Sequence, residues 1–266
     1  MSLIALGTTS VLPQRLDAAF RLAAECGYDG VEVMITSDRA TQSARSLTQV
    51  SERYAMPIVS VHAPVLLFSS YVWGRNPLVK IARSAALAAD VGARTVVAHP
   101  PYAWQRRSAA RFVDHVRHVS DTYGVTVAVE NMFPVRSGSA RDVFAPSWNP
   151  GELDIDALTL DFSHAGMSGR PASELAAAWG DRLRHVHLCD SSRDSPGGPL
   201  VDEHLPPGHG VQPVDDVLRA LADHHFDGLV VAEINTRHCG RDEQMRATVL
   251  AETLQFARTH LRVDAS

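Results

Sequence analysis

Short apolar runs alternate with stretches of helical period from one end of the chain to the other, and nearly every later run stops at a histidine or an acid. Ser2 to Leu6 reads as a first strand, and Pro13 to Cys26 as a helix with proline near its start and Gly27 past its end. Gly30 to Ile35 is a second strand. Thr41 to Tyr54 is helical and stops before Pro57, and Ile58 to His62 is a β-branched run ending in His-Ala-Pro. Asn76 and Pro77 open a helix that Gly92 closes, and Thr95 to Ala98 then leads into His99. Ser108 opens the next helix, and Thr126 to Val129 delivers Glu130-Asn131. Phe133 to Asp156 has prolines, glycines and no clean period, as expected of a long functional loop or lid.

Leu158 to Leu160 brings Asp161 and, three residues on, His164, with Gly166 and Gly169 loosening a turn before a short helix over Pro171 to Trp179. The strand from Leu183 alternates His185, His187 and Cys189 on one face with Val186 and Leu188 on the other, then runs into a Gly-, Pro-, Asp- and His-rich loop as far as Gly210. Helices over Pro213 to Ala222 and Asp242 to His260 flank a last strand, Leu229 to Ala232, that delivers Glu233.

Polar strand ends therefore fall at His62, His99, Glu130, Asp161, His187 and Glu233. Eight strand-plus-helix units of about 33 residues match an α/β fold of the (β/α)8 TIM-barrel type, occupying residues 1–266 as one domain, with the site at the C-terminal mouth of the strands. An open doubly wound sheet is the competing architecture. It has no reason to put a ligand-type residue at nearly every strand end, whereas a closed barrel gathers them at one mouth.

Composition narrows the setting. Of 266 residues 45% are hydrophobic and 21% charged, and the net charge of −5 gives no general attraction to polyanions. DNA is disfavoured on that ground, though a local basic patch keeps it open. Three scattered cysteines form no disulfide framework, and no long apolar span or basic leader is present, so a cytoplasmic protein without membrane insertion is expected. Thirteen histidines are the oddity of this composition.

A carboxylate that follows VAV or VVA into a barrel interior is costly unless paired or bound to a cation. Glu130 and Glu233, with Asp161 and His187, would repel one another without a divalent ion. This mixed oxygen and nitrogen set suits Mn²⁺, Co²⁺, Mg²⁺ or Zn²⁺. His62, His99, His164, Asp202 and His204 bring the tally above what one ion can use, so two or three Zn²⁺ ions are conceivable. Cys189 is expected to be a small packed residue, His185 a buried hydrogen-bonded one, and His115, His118, His224, His225 and His260 solvated. No dinucleotide or P-loop fingerprint occurs.

The succession VHAP, AHPP, VEN, DFSH, HLCD, DEHLPPGHG and VAEIN resembles the xylose isomerase-like TIM barrels over essentially the whole chain. That group includes sugar isomerases and epimerases and the endonuclease IV branch of abasic-site repair enzymes (AP endonuclease family 2). The resemblance implies that Glu130, Asp161, His187 and Glu233 form a shared metal square. In the endonuclease branch His62 and His99 join Glu130 at a second ion, and His164, Asp202 and His204 make a third. In the epimerase branch His164 instead binds substrate, as does Arg193, six residues after His187. Where the endonuclease branch has tyrosine and polar groups that press into DNA, this chain has Val65-Leu66-Leu67-Phe68; Trp73, Arg75, Arg106 and Arg107 would have to supply stacking and phosphate contacts, and are expected to be solvated.

Two functions follow as expectations. The first is a metal-dependent isomerase or epimerase of a small sugar, sugar phosphate or polyol, with Glu130 and Glu233 moving the proton and His164 and Arg193 binding substrate. The second is a polynuclear zinc phosphodiesterase. A barrel that has lost catalysis and only binds a metal or ligand is a third, and the two intact glutamates weigh against it.

Overall fold

The computed structural model describes residues 2–64, 69, 71–134, 136–137, 141–193 and 201–262. Eight parallel strands close into a barrel: β1 (Leu3–Gly7), β2 (Gly30–Met34), β3 (Ile58–His62), β4 (Thr95–Ala98), β5 (Thr126–Glu130), β6 (Leu158–Asp161), β7 (Leu183–Leu188) and β8 (Leu229–Ala232). Each pairs with its sequence neighbours, and β1 closes the ring on β8 through Leu3↔Leu229 to Leu6↔Ala232. The expected (β/α)8 barrel is the observed one. Residues 136–137 and 141–142 add a two-stranded ribbon inside the long segment after β5, whose other described residues are mostly irregular, as its prolines and glycines foretold.

The helices wrapping the barrel are α1 (Leu16–Cys26), α2 (Ala44–Tyr54), α3 (Pro77–Asp90), α4 (Arg106–Ala109), α5 (Phe112–Tyr123), α6 (Phe162–Ser168), α7 (Ala172–Trp179), α8 (Val214–Asp223) and α9 (Glu243–Leu261). Their ends follow local chemistry. The Leu78 N–H donates to Asn76 Oδ1 at 3.1 Å, with Pro77 at the first helical position where a missing N–H costs nothing. Ser43 caps α2 and Asp242 caps α9.

Several boundaries differ from the sequence expectation. The first helix starts at Leu16, where Arg15 O is the first carbonyl to accept from the helix, from the Ala18 and Ala19 N–H groups, and Gln14 N–H turns back to Val11 O. Thr41 belongs to a separate 3-10 turn ahead of α2, and Ser108 lies inside the short α4 instead of opening the longer α5. The segment after Asp161 is a helix, α6, capped by the Asp161 side chain. Gly166 sits in it because a Cβ there would lie 2.7 Å from Arg193 O, while Gly169 takes the left-handed C-cap at φ 69°.

Strand alternation decides what fills the barrel. Val31, Val33, Val61, Val127, Val129, Val186 and Leu188 are buried in the apolar core. The alternate positions Glu32, Ser60, His62, Glu130, Thr159, Asp161, His185 and His187 are equally buried and polar. Toward the mouth the barrel interior is therefore a polar plug, and the energetic question is how its charges are compensated.

Candidate metal and active site

His187 stands at the centre of the mouth. Its Nδ1 lies 3.0 Å from Glu233 Oε2, 3.2 Å from Glu130 Oε1 and 3.7 Å from Asp161 Oδ2, so the four residues singled out from their strand ends are brought together around one imidazole nitrogen. Glu130 and Asp161 are fully buried, and Glu233 is 12% exposed. The strand ends supply these positions, and neighbours then orient them. Thr9 Oγ1, in the turn after β1, donates to Glu233 Oε1 at 3.0 Å. Asn131 braces the Asp161 backbone from both sides, accepting from its N–H at 2.8 Å and donating to its carbonyl at 3.1 Å. Asp161 Oδ1 accepts the His164 N–H at 2.7 Å.

The remaining predicted ligands flank this centre. His62 Nε2 and His99 Nε2 lie 3.1 and 2.8 Å from Glu130 Oε2. On the other side Asp202 Oδ2 is 2.8 Å from His204 Nε2 and 3.3 Å from His164 Nε2, with Ser163 Oγ donating to Asp202 Oδ1 at 2.6 Å. Arg193 is placed differently. Its carbonyl accepts from Gln212 Nε2 at 2.7 Å, and its charge reaches Glu203, whose carboxyl is partly buried and held below its usual value by Ser192, Ser191 and that charge.

The hydrogen-bond pattern tests whether a cation suits this set. His62, His164 and His204 each give Nδ1–H to a backbone carbonyl, of Ala63, Asn131 and Glu233, at 3.0, 2.8 and 2.8 Å. A carbonyl can only accept, so in the neutral ring Nε2 carries a lone pair, and that lone pair faces a carboxylate. His187 differs in having carboxylates on both edges: Nε2 lies 2.9 Å from Glu32 Oε1, and Nδ1 faces three carboxylates. Lone pair against carboxylate is tolerable only with a second proton on the ring or a cation between them. Groups such as His62–Glu130–His187, Glu130–Asp161–His164 and His164–Asp202–His204 place donor atoms close enough to share an ion.

Without an ion, protons do the compensating. Burial opposes charging of His187, but Glu233, Glu130 and Glu32 raise it well above the usual imidazole value. His164 and His204 behave alike, burial being outweighed by Asp161 and Asp202. Burial would lift Glu130, yet His99 and His187 hold it well below the carboxylate range. Asp161 goes the other way, raised by burial.

Glu32 is the residue that strand-end reasoning missed. It lies mid-strand in GVEVM, 2% exposed, with its carboxylate on His185, His187 and Ser60. The signal was available, since an acid flanked by valines in a buried strand is as expensive as one at the strand's end. His185 is buried and hydrogen-bonded, and Cys189 is buried, both as expected. His115 departs from expectation: it is half-buried, donating Nε2–H to Leu78 O at 2.8 Å.

Beside the centre lies a cavity of about 350 Å³ that reaches His204, Asp202 and Glu233 and is walled by Leu12, Met34, Ile35 and Ile234. Of the residues considered for DNA contact, Arg106 and Arg107 are exposed on α4, Arg75 sits over the Tyr71 ring at 5.6 Å and Trp73 packs on Arg83 at 4.7 Å. Val65-Leu66-Leu67-Phe68 lies outside the described residues.

A closed eight-stranded barrel with a carboxylate–imidazole cluster at its C-terminal mouth defines a class, and sequence comparison gives it a family. Residues 20–260 match the xylose isomerase-like TIM barrel model, and the chain belongs to that family, whose members include sugar isomerases and epimerases. It is 43% identical, over 97% of both chains, to an uncharacterized protein of Mycobacterium tuberculosis strain H37Rv. It is 23% identical to the fructoselysine 3-epimerase of Escherichia coli O157:H7, over 84% of this chain and 86% of the relative. Among solved structures it is similar to the IolI protein crystallised with a zinc atom, at a TM-score of 0.73 and 20% identity, over 97% of this chain and 99% of the other. Among the described residues no helix is long and apolar enough to cross a membrane.

Proposed function

We propose that the chain, as one domain over residues 1–266, is a metal-dependent isomerase or epimerase of a small sugar, sugar phosphate or polyol. The observation that carries this reading is the position of Glu130 and Glu233, within 3.2 and 3.0 Å of the same His187 nitrogen. Glu130, Asp161, His187 and Glu233 would hold a divalent ion such as Mn²⁺, Co²⁺, Mg²⁺ or Zn²⁺. Such an ion, when bound, polarises neighbouring substrate oxygens and acidifies the carbon-bound proton between them. The glutamates have separate surroundings, Glu130 among imidazoles and Glu233 against the Thr9 hydroxyl, and they would remove and return that proton at Oε1 or Oε2. His164 and Arg193 are assigned to substrate hydroxyls or phosphate. A cavity of about 350 Å³ suits a small molecule, and its aliphatic wall would exclude water from the reacting carbon. The epimerase activity named for the E. coli relative and the zinc named for IolI agree with this reading. Three free cysteines fit a reducing cytoplasm.

The test is solvent deuterium exchange. The metal-loaded protein, incubated in D2O with a panel of ketoses, ketose phosphates and cyclic polyol ketones, is expected to label one substrate carbon, and Glu233→Gln to abolish labelling. A Glu233→Gln protein that labels substrate as fast as the native one removes the assignment.

A second reading has an observation of its own. His164, Asp202 and His204 form a separate donor set, and His62 and His99 converge on the second Glu130 oxygen, as a polynuclear zinc phosphodiesterase requires. It predicts two or three Zn²⁺ per chain and cleavage of an abasic duplex or simple phosphodiester. One metal per chain with substrate labelling decides for the isomerase.

A further inference from the structure

One layer below the four-residue centre, Glu32 binds two imidazoles with one carboxylate. Its Oε1 lies 2.9 Å from His187 Nε2; its Oε2 lies 2.9 Å from His185 Nε2 and accepts from Ser60 Oγ at 2.7 Å. We infer that Glu32 is a positioning residue, holding His187 in the tautomer whose Nδ1 lone pair faces Glu130, Asp161 and Glu233, so that a cation held by those carboxylates gains an imidazole ligand.

The argument is geometric. An imidazole flanked by acceptors on both edges has no intrinsic preference for which nitrogen keeps the proton. Around His187 three carboxylates crowd Nδ1, and left alone they would draw the proton to that side and block the lone pair. A fixed anion against Nε2 reverses the preference, and here it also fixes the ring plane. Glu32 is itself immobilised: its strand neighbours Val31 and Val33 are fully buried, and Ser60 and His185 occupy its second oxygen. The His187 ring is fully buried, stacked on His62 at 5.5 Å between centroids and edge-on to His185 at 4.8 Å. A carboxylate behind a ligating histidine raises the basicity of the ligating nitrogen and lowers the entropy lost on binding.

This inference rests on the proposed reading only in that a divalent ion binds at His187, so its readouts are metal affinity and the ring's spectrum, with turnover playing no part. Zn²⁺ is titrated into the full-length protein against a chromophoric chelator, and the binding step of interest is the one that His187→Ala abolishes. Glu32→Gln keeps a carbonyl acceptor for Nε2–H but loses the charge. It is expected to keep the Nε2–H tautomer in ¹⁵N-detected histidine spectra of the metal-free protein, recorded at a pH high enough that the His187 ring carries one proton, while that step weakens roughly tenfold. Glu32→Ala loses both, and is expected to weaken the step by roughly 10–100-fold and to shift the metal-free tautomer population toward Nδ1–H. The graded order Glu, Gln, Ala, with the tautomer changing only at Ala, supports a positioning role. Zn²⁺ affinity within twofold of native in Glu32→Gln, or a Glu32→Ala protein that keeps the native tautomer, overturns it. Should Glu32→Ala fail to fold, the Glu32→Gln affinity alone decides.

Discussion

The backbone N–H of Gly210 donates to Asp190 Oδ2 at 2.9 Å, and a Cβ placed on Gly210 would stand 2.3 Å from Asp190 Oδ1 and 2.3 Å from Ser191 O. Asp190 is 1% exposed and accepts three further N–H groups, from Ser191, Gly208 and Gln212. Its own backbone pairs with Leu205 in both directions. One buried carboxylate thus anchors the loop end just beyond Asp202 and His204.

Gly210→Ala should therefore cost about 1–3 kcal/mol, the usual range for an atom forced into a packed site. Asp190→Ala, which orphans four donors, should cost at least as much. Urea unfolding of the metal-free protein measures both. A Gly210→Ala midpoint equal to the native one would show that the loop relaxes freely.

Zinc loading should release protons at pH 7. His164, His187 and His204 are raised well above the usual imidazole value despite burial, because Asp161, Asp202, Glu233 and Glu130 favour their charged forms, so in the metal-free chain protons compete for these rings. A ligating imidazole must be neutral, so metal and proton compete. Affinity should strengthen as pH rises from 6.5 and weaken as it falls. Indicator absorbance in dilute buffer reports the release; a pH-independent affinity between 6 and 8 would mean that the rings are already neutral.

The strand ends were legible because six of the eight barrel units follow one rule: buried aliphatics outward, one polar group at the top. That rule found Glu130, Asp161, His187 and Glu233 and the flanking His62 and His99, while His164 stood out three residues after Asp161, and Asp202 and His204 in the polar loop after the strand at Leu183. It passed over Glu32, which lies one inward position lower, where the rule expects packing and the chain instead keeps an acid beneath His187. It also missed α6, since a seven-residue helix with a glycine in it has too few turns to show a period. Thr9 was invisible as an orienting group, because its partner Glu233 is 224 residues away and only barrel closure joins them.

Ala55→Gly should stabilise the protein by about 0.5–1 kcal/mol. Ala55 closes α2 in the left-handed region at φ 50°, its side chain exposed. That conformation costs an alanine roughly 1–2 kcal/mol, and glycine's added freedom in the unfolded chain returns about half of it. The change touches nothing at the barrel mouth, so deuterium labelling should be unaffected while the urea midpoint rises. A midpoint that falls would mean that unfolded-chain entropy outweighs the relief of strain.

Cys189 lies beside the proposed metal ligands, its Sγ 3.8 Å from Asp161 Oδ2, where a nucleophile would be well placed. Its surroundings forbid that role. Burial, reinforced by the Asp161 charge, pushes the thiol up to about 12, and the side chain has no exposed surface. At pH 8 the thiolate is then about one part in ten thousand, and a reagent has no path to it. Iodoacetamide at pH 8 is expected to leave Cys189 intact in the native protein and to alkylate it in urea, as peptide mass analysis would read directly. Cys189→Ala removes only a small buried group, so it should cost about 1 kcal/mol and leave labelling of substrate in D2O in place. Rapid alkylation of the folded protein, or loss of labelling in Cys189→Ala with the metal still bound, would return the thiol to the list of reacting groups and take the proton transfer away from the two glutamates.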